Sequence, residues 1–274
     1  MDLTFWGVRG TCPIDRPDAA RIGGDTPCAS VVTARGEWIV IDAGTGIYEL
    51  GRRLAAARPR PKRLSLFFTH FHLDHVQGLP FFEPLRDPGL EIDFYSAAEP
   101  RDLEARLGRL MGPPFFPVKF GATASKKRFR RVDGRAVRVG GAAVAACPLN
   151  HPQGCVAFRI EDRGAAIVLA TDTEPPAEGV DGWLAEFARG ADVLVCDATF
   201  TPREYAAGRQ GWGHGTWRDG ARLADAAGVK RLLLSHFSGW HSDRIVRDLE
   251  RRARAIFPAA AAARQGMRLE LRPA

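Results

Sequence analysis

The chain of 274 residues has no run approaching the roughly twenty consecutive apolar residues that a membrane-spanning helix requires. Its first residues, Met1-Asp2-Leu3-Thr4-Phe5-Trp6, carry neither a basic leader nor an apolar h-region, so no signal peptide is expected. Cysteine is sparse: Cys12, Cys28, Cys147, Cys155 and Cys196 are odd in number and irregularly spaced. That pattern argues against a disulfide framework and for reduced thiols packed in a cytoplasmic protein. Lysine is scarcer than the charge suggests, with 5 Lys beside 34 Arg in a net charge of +7. A basic balance suits a polyanionic partner, but with so much arginine and alanine it reads in part as a compositional habit. No composition break divides the chain, and at this length a single α/β domain over residues 1–274 is expected.

Histidine is also scarce, and its placement is informative. Of 7 His, three fall in Thr69-His70-Phe71-His72-Leu73-Asp74-His75, directly after the apolar run Leu64-Ser65-Leu66-Phe67-Phe68. Ligand sites of α/β proteins form outside the carboxyl ends of strands. His70 and His72, two apart in extended chain, point to one side. Asp74 and His75 follow where the chain turns into a helix. Two pairs facing different ways from one short loop read as ligands for two metal ions, since imidazole and carboxylate are the usual donors to zinc and similar dications.

The rest of the chain supplies further strand ends with polar tips. Strands are expected over Leu3–Val8, Cys28–Thr33, Glu37–Ile41, Glu91–Tyr95, Ala136–Val139, Ala142–Pro148, Val193–Cys196, Lys230–Leu234 and Met267–Leu271. A hairpin of Cys155–Ile160 and Ala165–Ala170 turns at Asp162-Arg163-Gly164. Helical spacing marks Ile47–Arg58, Pro100–Met111, Val180–Arg189, Arg218–Ala227 and Ser242–Phe257. Four strands lead to His151, Asp172, Asp197 and His236. Ile39–Asp42 and Val168–Asp172, both apolar strands ending in Asp, are a faint echo between two halves. The basic run Lys126–Arg131 would either meet phosphates or form a solvated strand edge. Gly112–Pro117 reads as an aromatic-proline loop, either a cleft wall or packed on the core.

The His-x-His-x-Asp-His motif after a buried strand resembles the signature of the metallo-β-lactamase superfamily, and His151, Asp172 and His236 follow in that superfamily's order. The resemblance spans nearly the whole chain and implies a four-layer αββα sandwich of two similar halves. It also implies two divalent metal ions, zinc first with manganese or iron as alternatives. One would be held by His70, His72 and His151 and the other by Asp74, His75 and His236, with Asp172 bridging. Asp42 corresponds to a buried residue near the metals.

Gly213-His214-Gly215-Thr216, with Asp197-Ala198-Thr199-Phe200 and Leu234-Ser235-His236-Phe237-Ser238, is similar to the tRNA 3′-processing endonucleases and their small phosphodiesterase relatives, with Gly215 in place of a serine. There the loop histidine protonates the leaving oxygen, a task suited to imidazole near neutral pH. Trp6, Arg9 and Gly10 resemble the opening of an uncharacterised branch of that group; Arg9 would touch a phosphate or brace a loop. His241 reads as a surface or supporting residue.

The activity implied is phosphodiester hydrolysis with a bridging hydroxide as nucleophile, oriented by Asp74 or Asp172, and with His214 as acid. A small phosphodiester or cyclic nucleotide is favoured over tRNA, because residues 100–135 do not resemble the long arm that grips tRNA. The alternatives are a thioester or lactone hydrolase on the same fold and a non-catalytic accessory protein of cofactor biosynthesis, whose metal sets are incomplete. The sequence leaves the oligomeric state open; a homodimer is compatible with it.

Overall fold

Alternation of side chains along the early strands sets the layers. In β3 (Trp38–Ile41), Ile39 and Ile41 enter one apolar cluster and Trp38 and Val40 the other. In β4 (Arg63–Phe67) and just past it, Phe67 joins the first cluster and Leu64, Leu66 and Phe68 the second. A strand buried on both faces, with period two, must lie between two layers. The computed structural model, which describes residues 1–272, shows those layers to be a second sheet on one side and helices on the other.

The first half contributes β1 (Asp2–Gly7), β2 (Cys28–Val32), β3 and β4, then β5 (Glu91–Ser96) and β6 (Lys126–Arg131). Helices α1 (Ile47–Ala56), α2 (Leu73–Val76) and α3 (Pro100–Leu110) interrupt them. The second half contributes β7 (Val137–Val139), β8 (Ala142–Leu149), β9 (Cys155–Asp162), β10 (Ala165–Ala170), β11 (Val193–Asp197), β12 (Leu232–Ser235) and β13 (Ala260–Ala262). Its helices are α4 (Gly182–Ala188), α5 (Pro202–Ala206), α6 (Trp217–Ala227) and α7 (Asp243–Arg254), and β14 (Arg268–Glu270) closes the chain.

The sheets run β14-β1-β2-β3-β4-β5-β6 and β13-β12-β11-β10-β9-β8-β7. In each, an antiparallel meander passes into parallel strands: β1-β2-β3 into β4, β5 and β6, and β8-β9-β10 into β11, β12 and β13. This is the pair of similar halves, and the expected αββα sandwich is what forms. Phe67 of one sheet meets Phe158 of the other edge-on, ring centroids 5.3 Å apart. Each such fully buried apolar side chain contributes about 1.5–3 kcal/mol.

The faint echo between Asp42 and Asp172 has a backbone counterpart. Both end a strand in the left-handed region, with φ of 60° and 61°. Non-glycine residues there cost of order 1–3 kcal/mol and cluster at functional sites. Of the six among the described residues, Thr11 bonds Asp74, Asp42 and Gln153 bond His75 and His72, and Asp172 and His236 belong to the same cluster, while Arg163 only turns the β9–β10 hairpin.

Several expectations are refined. The strand expected from Lys230 begins at Leu232, and the Lys230 ammonium pairs with Asp192 at 2.7 Å. β13 was not expected, since an alanine-rich stretch carries little β propensity; it forms as an edge strand parallel to β12. α5 was also missed, although its capping box, Thr201 with Glu204, is a sequence signal. The basic run forms the edge strand β6, with Arg128 on Glu91 at 2.6 Å, Arg130 on Asp93 at 3.0 Å, and Arg131 on Glu99. Lys127 donates to the carbonyls of Thr123 and Ser125. Most of that charge is therefore spent within the protein. Of the aromatic-proline loop, Phe116 packs on Phe81 and the second apolar cluster, while Phe115 is exposed.

Candidate metal centre

The parallel strands deliver their chemistry at one end. β4 runs into His70 and His72; His72 keeps extended backbone as the N-cap of α2, which then presents Asp74 and His75. Strand β8 leads to His151, β10 to Asp172, β11 ends at Asp197 and β12 leads to His236. His214 arrives on the loop before α6. Two glycines make room. A Cβ on Gly10 would lie 2.3 Å from the His236 ring, and one on Gly213 would lie 2.2 Å from His151 Nδ1.

The hydrogen bonds around the imidazoles fix which nitrogen is bare. His151 Nδ1 donates to the Gly213 carbonyl at 2.9 Å, which leaves Nε2 unprotonated. His72 Nε2 donates to Gln153 Oε1 at 2.8 Å, which leaves Nδ1 unprotonated. His75 Nδ1 donates to Asp42 Oδ2 at 2.8 Å. The Thr69 hydroxyl donates to Asp42 Oδ2 at 2.9 Å, so toward His70 Nδ1, at 3.1 Å, it can only accept. The Thr199 hydroxyl donates to the His236 carbonyl at 2.8 Å, so toward His236 Nδ1, at 2.9 Å, it too accepts. A hydroxyl has one proton to give. In their neutral forms all five rings thus turn a lone-pair nitrogen inward.

The inward nitrogens face one another and the carboxylates. His72 Nδ1 and His151 Nε2 are 3.1 Å apart, and His75 Nε2 and His236 Nε2 are 3.2 Å apart. Asp172 places Oδ1 3.2 Å from His236 Nε2 and Oδ2 3.3 Å from His75 Nε2. Asp74 Oδ2 lies 3.3 Å from His236 Nε2 and accepts the Thr11 amide at 2.7 Å. Two nitrogens on a tetrahedral zinc, each at about 2.0–2.1 Å, are separated by about 3.3 Å. His70 Nε2 and Asp172 Oδ2, both buried, have no hydrogen-bond partner among the described residues. Orphaned polar atoms at this depth fit a bound ion. His70, His72 and His151 form one set able to hold a metal; Asp74, His75 and His236 form another, with Asp172 within reach of His70 and His75.

Asp197 and His214 also fall close to Asp172 and His236, but their atoms are engaged otherwise. Asp197 accepts the amides of Asp172 at 3.0 Å and Thr199 at 2.8 Å, and His214 Nδ1 at 3.0 Å. It supports the Asp172 backbone and aims the His214 ring. That ring lines the cleft, and its other nitrogen has no hydrogen-bond partner among the described residues.

Protonation follows burial and charge. Burial pushes His70 down to about 2, with the neighbouring His75 adding to the effect, and burial also lowers His151. His75 is pushed the other way: burial opposes a charge there, but Asp172 and Asp42 outweigh it and hold the pKa well above the usual imidazole range. Burial likewise opposes ionisation of Asp172 and Asp74, yet the facing histidines hold both below the carboxylate range. His214 is raised to about 9 against its burial, by Asp197 first and then Asp172 and Asp74.

All seven residues singled out as metal ligands converge here, and His214 stands beside them. Other calls change. Arg9 is fully buried and donates to the carbonyls of Gly23 at 2.8 Å and His241 at 2.7 Å, so it braces loops and cannot meet a phosphate. His241 is not at the surface: it is buried, with Nε2 on Glu204 at 3.1 Å. Apart from Asp42, the residues behind the imidazoles were not anticipated from the sequence. Asp197 had a signal as a strand-end carboxylate, but Thr69, Thr199 and Gln153 had none. Glu174 was also missed; it accepts the amides of Gly211 at 2.7 Å and Gly213 at 2.9 Å and so holds the loop that carries His214.

Comparison with known proteins gives a family and a fold. A family model described as "Beta-lactamase superfamily domain" matches residues 37–237. A protein named Ribonuclease Z from Gemmatimonas aurantiaca is 44% identical over 109 residues, which is 40% of this chain and only 32% of that one. A protein of the same name from Salinibacter ruber is 28% identical over 307 residues, covering 89% of each chain. A solved structure described as a new diphosphatase from the PhnP family superposes with a TM-score of 0.71 at 20% identity, covering 99% of this chain and 98% of that one.

Proposed function

Because the chain belongs to the β-lactamase superfamily, we propose that it is a metal-dependent phosphodiesterase acting on a small phosphodiester or cyclic nucleotide at a centre of two divalent ions, zinc first. The observation that carries the reading is the inward lone pair of all five histidines around Asp172. A pair of cations among those nitrogens and carboxylates would satisfy them together. His70, His72 and His151 would hold one ion, Asp74, His75 and His236 the other, and the two oxygens of Asp172 would serve both. When bound, such ions supply Lewis-acid charge at the phosphoryl oxygens and an activated water near neutral pH.

The chain's own groups do the rest. His214, held by Asp197, presents its free nitrogen to the cleft and gives a proton to the departing oxygen. The hydroxide part of the water goes to phosphorus, and its proton, by way of His214, replaces the phosphoryl group on the leaving oxygen. Asp74, its orientation fixed by the Thr11 amide, and Asp172 orient the attacking water. The phosphodiester is favoured over a thioester or lactone because an alkoxide leaving group needs such an acid, and because the Salinibacter ruber protein named Ribonuclease Z aligns along most of the chain. The full set of inward donors argues against an accessory role.

The test combines metal analysis with a substrate panel: bis(p-nitrophenyl) phosphate, cyclic nucleotides, a tRNA precursor, a thioester and a lactone. Two equivalents of metal and turnover of the phosphodiesters, abolished by chelation, are expected. Turnover confined to thioester or lactone, or protein that binds no metal, would overturn the proposal. Cleavage of the tRNA precursor alone would replace the small substrate with a nucleic acid.

A further inference from the structure

The cleft over the metal cluster encloses about 650 Å³ and is walled largely by side chains that the hydrolytic chemistry does not use. One wall is continuous and aromatic. From His214 it passes to Phe200, edge-on at 5.9 Å, then to Trp212, edge-on at 6.4 Å, and ends with the Arg209 guanidinium 4.4 Å above the Trp212 ring. Trp212 is still 53% exposed although Phe200 and Arg209 both lie against it. Trp240, on the loop after His236, lines the same cleft and is 85% exposed. Arg209 makes no ion pair among the described residues, in contrast to Arg16 at the same cleft, which pairs with Asp18.

An exposed tryptophan beside an unpaired arginine, within one cleft of a phosphate-ester site, is a combination with a defined complement. Tryptophan faces stack on planar heteroaromatic rings whatever their sequence identity, and arginine adds a charge for a phosphate or a donor edge for a ring acceptor. We infer that Trp212, backed by Phe200 and flanked by Arg209, is a base-stacking subsite next to His214, so that the substrate is a nucleotide ester rather than a simple phosphodiester. The inference rests on the phosphodiesterase reading and deepens it. It accounts for the wall beginning at His214: a base seated there places its sugar oxygen on the side from which the proton comes. Trp240 lines the same cleft from a separate loop.

Calorimetric binding to the metal-loaded protein tests this without turnover, using adenosine 5′-monophosphate and ribose 5-phosphate, which differ only in the base. Stacking of one base leads us to expect the nucleotide to bind at least about tenfold more tightly. Trp212→Ala should bring the two ligands to within about twofold, with ribose 5-phosphate affinity unchanged. Trp212→Leu, which keeps apolar bulk without the extended ring, should do the same and covers the case of a poorly folded alanine variant. Equal binding of the two ligands to the wild type, or a preference that survives both substitutions, would overturn the subsite. The two proposals fail separately. Hydrolysis of bis(p-nitrophenyl) phosphate with no base preference removes the subsite alone, whereas a base preference without phosphodiester turnover removes the phosphodiesterase reading alone.

Discussion

Thr199 tests the lone-pair argument at a residue that touches no metal. Its hydroxyl lies 2.8 Å from the His236 carbonyl oxygen and 2.9 Å from His236 Nδ1. With one proton committed to the carbonyl, it serves Nδ1–H as acceptor, and Nε2 stays bare. Thr199→Val removes that acceptor at nearly the same shape. The next acceptor for Nδ1–H is then Asp197 Oδ2, at 3.8 Å, too far for a hydrogen bond. The proton gains by moving to Nε2, where Asp172 Oδ1 and Asp74 Oδ2 wait at 3.2 and 3.3 Å. That tautomer has no lone pair for a cation, and metal binding must reverse it. Partners behind a metal-binding histidine set affinity by about 10–100-fold, which is the loss expected here. The metal-free protein also loses a donor to a buried carbonyl, at a cost of about 1–3 kcal/mol, partly offset by the new contact at Nε2. Chelator-competition titration of zinc into the metal-free wild type, Thr199→Val and Thr199→Ser measures the effect. The serine variant keeps the hydroxyl and should retain most of the affinity. Zinc affinity of the valine variant within about twofold of wild type would refute the tautomer argument.

Three further outcomes follow from the same geometry. His214→Ala should keep its metal content yet lose about 10²–10⁴-fold in kcat on esters with alkoxide leaving groups, and far less on p-nitrophenyl esters, whose leaving oxygen needs no proton; a uniform loss on both would remove His214 as the acid. In the metal-free protein the raised pKa of His214 means that its charged form stabilises the fold fully below its ordinary value of 6.5 and that this support is lost as pH rises through about 9. Denaturant unfolding at pH 6 and pH 9.5 should show a drop on the order of 3 kcal/mol at most that His214→Gln abolishes. Gly213→Ala places a Cβ 2.2 Å from His151 Nδ1 at a φ of 81°, so it should displace that ring and cut metal affinity by at least about tenfold, with a melting temperature lowered only modestly; unchanged metal binding would show that the loop yields instead.

Much of this protein was legible along the chain because it depends on local order. Apolar runs of strand length placed β4, β10, β11 and β12, and each tip carried a polar residue. The spacing of His70, His72, Asp74 and His75 follows from an extended segment entering a helix, which is how they are built. The basic run offered two readings, and partners decided it: Glu91, Asp93 and Glu99 lie next to β6 only once β5 and the start of α3 are packed against it. Arg9 offered two readings as well, and the carbonyls of Gly23 and, from the far end of the chain, His241 settled it.

The types of the inward side chains and the order in which strands deliver them were therefore written in the sequence, because backbone periodicity and residue chemistry are local. Which nitrogen of each ring is bare, how far His214 is charged and where an aromatic wall meets that ring were decided only by folding. Those properties depend on single atoms of Thr199, Gly213 and Asp197, brought against rings 37, 62 and 17 residues away. Hydrogen-bond direction and electrostatic field act over a few ångströms of space, and chain distance carries no record of them.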